Sequence, residues 1–260
     1  MIVGGLLGAA VAALAYWRQA LTRDGALTAA VVGWLTFARG GPTGTAALLT
    51  FFVSSTLLSR IGEQRKRALP LAQAKGARRD AWQVLANGGV ATLCFGVGQP
   101  RAAIGALAAA SADTWATELG MLAHRAPRLI TTLRPVDTGT SGGVTPEGLL
   151  AGAGGALCVG LAASVPSRDA SLVYSAFVAG LAGAVIDSFL GATLQAGYRC
   201  PRCNVFTEGG IHATCGTPTL HERGLRWMTN DAVNLVATMV GAAIGGLKTP
   251  DAAGHVRGGS

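Results

Sequence analysis

The residues best suited to chemistry lie in Ser111-Ala-Asp-Thr-Trp-Ala-Thr-Glu-Leu-Gly120, where Asp113 and Glu118 follow an apolar run from Ala102 to Ala110. An ionisable group within lipid costs several kcal/mol, so carboxylates in this position are expected to face a polar cavity or a membrane edge. Residues four apart share a helix face, so Thr114 stacks under Glu118 while Asp113 pairs with Thr117. A regular helix therefore aims the two acids at different neighbours, and a common site requires other segments to close around them. Four segments carry suitable groups. Arg79, Gln83 and Asn87 recur every four residues as one polar stripe. Asp137-Thr-Gly-Thr-Ser-Gly-Gly-Val-Thr145 is a glycine loop, in which Gly139, Thr140, Ser141, Gly142, Gly143 and Thr145 are candidate phosphate contacts, with Arg134 nearby. Adjacent glycines let a backbone approach an anion and turn successive N–H groups towards it. Pro146 is placed to open a helix whose N-terminus points at the same anion. Asp187, Gly191 and Gln195 share a face, with Ser188 beside them, and Asn230, Asp231 and Asn234 open the last apolar run.

Cys200-Pro-Arg-Cys203, His212 and Cys215 form a second group, with C-x-x-C…H-x-x-C order. Three thiolates and an imidazole suit a structural, tetrahedral Zn²⁺, and a redox or disulfide pair fits the same spacing. Cys94 and Cys158 fall in apolar runs and read as core residues.

These residues need a scaffold, and composition indicates which kind. The chain has 260 residues, of which 50% are hydrophobic and 13% charged, and its mean hydropathy is +0.42. That is too apolar for a soluble domain of this size. The apolar runs are Ile2–Trp17, Gly25–Ala38, Thr43–Leu58, Gln83–Gly98, Ala102–Leu122, Leu149–Val165, Leu172–Gln195 and a last one ending at Leu247. They predict an all-α, polytopic transmembrane bundle of roughly six to eight spans, each needing ~20 apolar residues or fewer where protein shields it. The 38 glycines suit close helix contacts, and Gly4-x-x-x-Gly8 and Gly241-x-x-x-Gly245 have small-residue spacing. Residues 1–247 read as one membrane domain, with 198–228 inserted as a Cys/His loop and 248–260 as a flexible tail.

The net charge of +8 is gathered in loops between apolar runs, which argues against nucleic acid as a partner and for retention of basic loops on the cytoplasmic side. Arg60, Arg65, Lys66, Arg67, Lys75 and Arg78 read as a solvated loop of this kind. Loops 60–80, 121–146 and 198–228 then share one face of a bacterial-type inner membrane. No secretory signal is apparent at the N-terminus. The sequence leaves oligomeric state open.

Acids, a glycine loop and arginines at one face suit Mg²⁺ and phosphate groups, since Mg²⁺ is usually held by one or two carboxylates plus substrate phosphates. No H-R-D or P-loop signature occurs. No histidine pairs with the acids as a general base. An acceptor that is already ionised, such as a lipid monophosphate with a second pKa near ~6, needs none.

Across nearly its whole length the chain resembles the DUF92 membrane family, which is similar to TMEM19-like proteins and to plant and cyanobacterial phytyl-phosphate kinases. The carriers are Gln83-Val-Leu-Ala-Asn-Gly88, Ala112–Gly120, Gly139–Thr145, Asp187–Gln195, the Cys/His loop and Asn230-Asp-Ala-Val-Asn234. The resemblance implies a kinase converting a prenyl monophosphate (phytyl, geranylgeranyl or farnesyl) drawn from the bilayer into its diphosphate, with CTP as donor. It implies Asp113, Glu118 and Asp187 as Mg²⁺ ligands or triphosphate-orienting groups. Gly139, Thr140, Gly142 and Gly143 would cradle phosphate, and Arg79 and Arg134 would neutralise charge. Asn87, Gln195, Asn230, Asp231 and Asn234 would complete the wall. A CTP-dependent cytidylyltransferase and a lipid or ion transporter are the rival readings.

Overall fold

A computed structural model describes residues 2–67, 69, 78–212 and 214–247. Lys75 of the basic loop and the 248–260 tail lie outside the described residues. The architecture is a polytopic helical bundle built around α6 (Pro100–Gly120). Every residue of α6 from Ala102 to Ala112 is buried, and the helix packs against α2 (Arg23–Arg60), α5 (Val90–Gly96), α7 (Pro146–Ser167), α8 (Ser171–Thr193) and α9 (Asn230–Gly245). Alanine, glycine and serine on all its faces allow that, because small side chains let neighbouring backbones come close. A Cβ on Gly105 would stand 2.3 Å from the Gly241 carbonyl oxygen, and one on Gly245 would stand 2.8 Å from the Arg101 carbonyl oxygen. The Gly241/Gly245 spacing is thus a helix contact within the chain. The Gly4/Gly8 spacing is another: α1 (Ile2–Trp17) meets Phe37, Ala30 and Trp34 there.

α2 corresponds to two of the apolar runs. Its helical geometry breaks at Gly41 (φ 55°, ψ −148°), next to Pro42. Only glycine adopts such a conformation readily. A straight 38-residue helix would be ~57 Å long. Instead, Arg60 Nη2 donates to the Arg18 carbonyl at 2.9 Å, and Arg79, which bonds Thr22 through its carbonyl, also reaches Thr56. The two arms therefore run back to back as a helical hairpin.

The next rod begins with α4 (Ala81–Val84), capped by Asp80, passes through a π-helical turn (Leu85–Gly89) and continues as α5. Such turns shift helical register and recur at functional sites. The Ala86 carbonyl accepts a hydrogen bond from the buried Thr238 hydroxyl of α9 at 2.9 Å. Thr145 and Thr229 cap α7 and α9 through Gly148 N–H and Ala232 N–H, and Pro146 opens α7 as the sequence predicts.

Among the described residues there are eight helical passes: α1, both arms of α2, the α4–π–α5 rod, α6, α7, α8 and α9. Among the described residues, Arg23–Arg60, Pro146–Ser167 and Ser171–Thr193 are long and apolar enough to cross a membrane, and Gly4–Trp17 is a shorter apolar helix. Alternating passes leave residues 18–22, 61–67, 78–80, 121–145 and 194–229 at one end. The turns at Gly41, 97–99 and 168–170 lie at the other end, where Arg101 pairs with Asp169 at 3.1 Å. Among the described residues, strands occur only in loops of the first end. β1 (Arg128–Leu129) pairs with β2 (Gly143–Val144), and β3 (Gly197–Arg199) lies between β4 (Phe206–Thr207) and β5 (Leu220–Arg223). Leu27, Leu93, Leu150 and Val165 point outward on the bundle, and Trp17, Trp82 and Trp227 are exposed near the strand-bearing end. The latter is where aromatic side chains gather at a membrane–water boundary.

Candidate active site

The strand-bearing end encloses a cavity of about 1250 Å³. Asp113, Thr114, Thr117, Glu118, Thr138–Thr145, Asp187, Ser188, Gln195, Asn230 and Asn234 line it, together with Arg79, Gln83 and Asn87. Helix packing explains how the acids come together. α6 and α8 run in the same direction and touch where a Cβ on Gly183 would meet Ala109 Cβ at 2.4 Å. Asp113 and Asp187 each lie four residues further on, about one turn towards the cavity. α9 runs the opposite way and presents the Ala237 carbonyl 3.1 Å from the same added Cβ. Its residues Asn234 and Asn230 therefore reach the same level. Asp231, one residue round the helix, is not among the cavity-lining residues. It sits in the first turn of α9, where a carboxylate complements the helix dipole.

Glu118 points to a different partner. Lys66 of α3 (Glu63–Arg67) places Nζ 2.5 Å from Glu118 Oε2 and also donates to the Leu58 carbonyl. Ser59 donates to Glu118 Oε1 at 2.7 Å. Lys66 is buried, which corrects its reading as part of a solvated loop. No local pattern distinguishes it from its basic neighbours, since its partner lies 52 residues away. Thr114 bonds back to the Ala110 carbonyl.

The polar stripe of Arg79, Gln83 and Asn87 faces the cavity as its spacing predicts. Arg79 sits at the end of the linker before α4. Its guanidinium lies 5.9 Å from the Phe52 ring and 3.5 Å from Thr56 Oγ1. Burial pulls its pKa below the usual guanidinium value, opposed by the negative charge of Glu118. Gly25 makes room for this linker, because a Cβ there would stand 2.3 Å from the Arg79 carbonyl oxygen.

The glycine loop divides its tasks more sharply than its composition suggests. Gly139 (φ 94°) and Gly142 (φ 83°) adopt the left-handed conformation, and a Cβ on Gly142 would strike Ala192 at 2.5 Å. The Thr140 and Gly143 amides already donate to Asp137 and Thr140 carbonyls, so they are not phosphate donors in this arrangement. The Thr145 oxygen caps α7. The Ser141 hydroxyl donates to Glu208 Oε1 and accepts from Gln195 Nε2 at 3.0 Å. Ser141 and Gln195 therefore anchor the loop. Arg134 does not line the cavity: the chain doubles back at Leu133 (φ 56°), and the Arg134 carbonyl accepts from Leu129 N–H, which leaves the residue exposed on the outer turn.

Cys200, Cys203, His212 and Cys215 come together beyond Glu208, with all four potential ligand atoms within 4.8 Å of one another. Hydrogen bonding with the Thr217 hydroxyl and amide, then with His212 and Cys203, pulls the Cys215 thiol down to about 5. Cys203, hydrogen-bonded to Cys215, is held up to about 11.

An apolar cleft between α1, the α2 hairpin and α4 shares Arg79, Gln83, Asn87 and Thr114 with the polar cavity. Leu7, Val11, Leu48, Phe51 and Phe52 line its far reaches. The charged cavity thus adjoins a narrow apolar cleft of about 90 Å³ across a shared wall.

Residues 6–242 match the family described as Integral membrane protein DUF92. The chain is 32% identical to Protein PGR of Arabidopsis thaliana, over 92% of this chain and 93% of that protein. It is likewise 32% identical to Uncharacterized membrane protein MJ0933 of Methanocaldococcus jannaschii, over 87% of this chain and 85% of the relative. Protein VTE6, chloroplastic, of Arabidopsis thaliana is 22% identical over 86% of this chain and 64% of its own length. No solved structure matches the chain. With that coverage at both ends and the helical bundle described above, this chain belongs to the DUF92 family of integral membrane proteins.

Proposed function

We propose that the chain is a membrane kinase that transfers the terminal phosphoryl group of a nucleoside triphosphate, CTP by resemblance, to a prenyl monophosphate. The observation that carries this reading is a large cavity with Asp113, Asp187 and Arg79 on its wall and a narrow apolar cleft adjoining it. A phosphate headgroup on a hydrocarbon tail is the kind of molecule that needs both. The cavity can accommodate a nucleotide beside that headgroup. The oxygen donors present fit Mg²⁺, since Asp113 and Asp187 approach from packed parallel helices and Asn230 and Asn234 adjoin them. Bound there, Mg²⁺ would neutralise charge on the triphosphate. Glu118 serves instead to hold Lys66 and α3 at the rim.

An oxygen of the acceptor phosphate attacks the terminal phosphorus of the donor. The new P–O bond forms as the bond to the bridging oxygen breaks, and the nucleoside diphosphate leaves with the negative charge. Arg79 offsets charge on the phosphates, and its short tether to the α2 hairpin fixes its position. The acceptor is already ionised near neutral pH, so no general base is required. Basic loops gathered at the cavity end support a cytoplasmic orientation, where nucleotides are available.

Radiolabelled CTP incubated with purified protein and phytyl, geranylgeranyl or farnesyl monophosphate tests the reading. The expected products are CDP and the prenyl diphosphate, dependent on Mg²⁺. A CDP-lipid with released pyrophosphate would establish cytidylyl transfer instead, and no nucleotide consumption would favour a transporter. Asp113→Asn is expected to lower turnover at least ~100-fold, as loss of a transition-state charge contact does, with unchanged elution on size exclusion.

A further inference from the structure

We propose that Cys200, Cys203, His212 and Cys215 bind one structural Zn²⁺ that clamps the glycine loop at the cavity rim. Three sulfurs and an imidazole nitrogen from a tight turn and a second loop are the ligand set of a closed tetrahedral zinc site. Around Zn²⁺, Zn–S bonds of ~2.3 Å put sulfurs ~3.8 Å apart. Cys200 Sγ and Cys215 Sγ are 3.6 Å apart, and His212 Nδ1 is 3.0 Å from Cys215 Sγ. The backbone is arranged around the same centre. Cys200 N–H donates to the Val205 carbonyl and Asn204 N–H to the Cys200 carbonyl, closing the Cys-x-x-Cys turn. Gly216 N–H donates to the His212 carbonyl, and His212 N–H donates to the Thr217 carbonyl, closing the second loop. Thiolates and imidazole together favour zinc over the hard cations that suit the carboxylate cavity.

The metal centre is joined to the cavity by a short path. β3 leads into the first Cys pair and β4 leads out towards Glu208, which accepts from the Ser141 hydroxyl. Gln195, just before β3, donates to the same hydroxyl. On β5, Arg223 bonds the Gly191 and Ala192 carbonyls at the end of α8. Tetrahedral ligation ties the Cys200 turn to the His212–Cys215 loop. The three-stranded sheet then holds Glu208 against Ser141, which fixes the glycine loop over the end of α8. This role does not depend on which reaction the cavity performs.

Metal analysis of full-length protein purified in detergent is expected to give one zinc ion per chain, with the content falling in Cys200→Ser and Cys215→Ser. Exchange with Co²⁺ is expected to give thiolate-to-cobalt charge-transfer absorption. Stripping zinc with a chelator is expected to speed amide hydrogen exchange in residues 137–145, while 102–112 in the core of α6 stay protected. Because the cysteine variants can fail to fold, Glu208→Gln supplies a second arm. It is expected to retain zinc yet loosen 137–145. Substoichiometric metal with the cysteines joined as a disulfide, or with all of them free to alkylate, overturns the zinc site. Stoichiometric zinc whose removal leaves exchange in 137–145 unchanged overturns the clamp. Neither readout requires turnover, so loss of the kinase reading would leave both intact.

Discussion

At the scale of single residues, the Lys66–Glu118 pair shows how a charge is made tolerable inside this protein. Both side chains are largely withdrawn from solvent, at 7% and 16% exposure, and Ser59 and the Leu58 carbonyl satisfy further hydrogen-bonding groups. Removing one member leaves an uncompensated buried charge, so Lys66→Met is expected to destabilise by about 3 kcal/mol. Lys66→Met combined with Glu118→Gln should recover most of that loss. Thermal unfolding in detergent checks both, and a double variant no better than the single would contradict the pairing. Gly142 carries a different constraint, a left-handed backbone pressed against Ala192. Gly142→Ala is expected to cost about 1–2 kcal/mol of loop geometry, read as weaker nucleotide binding in a fluorescent-analogue titration. Asp113 and the stripe Arg79, Gln83, Asn87 were legible from residue type and spacing alone. Lys66 was not, because nothing in Glu63–Arg67 distinguishes a buried lysine from the surrounding basic residues.

At the scale of elements, glycine sets how closely helices approach. Gly105, Gly241 and Gly245 bring α6 and α9 within backbone contact, and Gly183 does the same for α6 and α8. These contacts decide whether Asp113, Asp187, Asn230 and Asn234 reach one level. Gly105→Leu is therefore expected to abolish monodisperse protein on size exclusion. Gly96→Ala, where an added Cβ meets nothing within 4 Å, should elute as wild type. The hairpin in α2 follows the same logic, because its two apolar runs were visible in sequence but their back-to-back packing depends on one backbone conformation at Gly41. The π-turn around Asn87 has no local signature in the sequence. Its Ala86 carbonyl accepts a hydrogen bond from Thr238, 152 positions away along the chain.

At the scale of the whole molecule, the two ends of the described bundle differ: one has short turns, the other has the cavity, the strands and the basic loops. If the cavity end faces the cytoplasm, a protease site inserted after Ala126 should be cut in inverted vesicles but not in intact cells stripped of their outer layer. One inserted at Arg168 should show the reverse pattern, and equal cutting from either side would refute the orientation. The sequence by itself determined that the chain is a membrane bundle and which apolar runs build it, because hydrophobicity and charge retention act locally along the chain. It also singled out the stripe Arg79, Gln83 and Asn87 and the groups Asp113, Asp187, Asn230 and Asn234 that line the cavity, since helical spacing reports which side chains share a face. Arg18, Thr56, Ser59 and Lys66 on the same wall carried no such signal. Tertiary structure alone decided that Arg134 and Asp231 stand outside the cavity lining and that Ser141, Gln195 and Thr145 anchor the framework. It likewise assigned Glu118 to Lys66. Those outcomes depend on which groups meet across distant segments, and hydrogen-bond partners chosen through space leave no periodic trace in the order of residues.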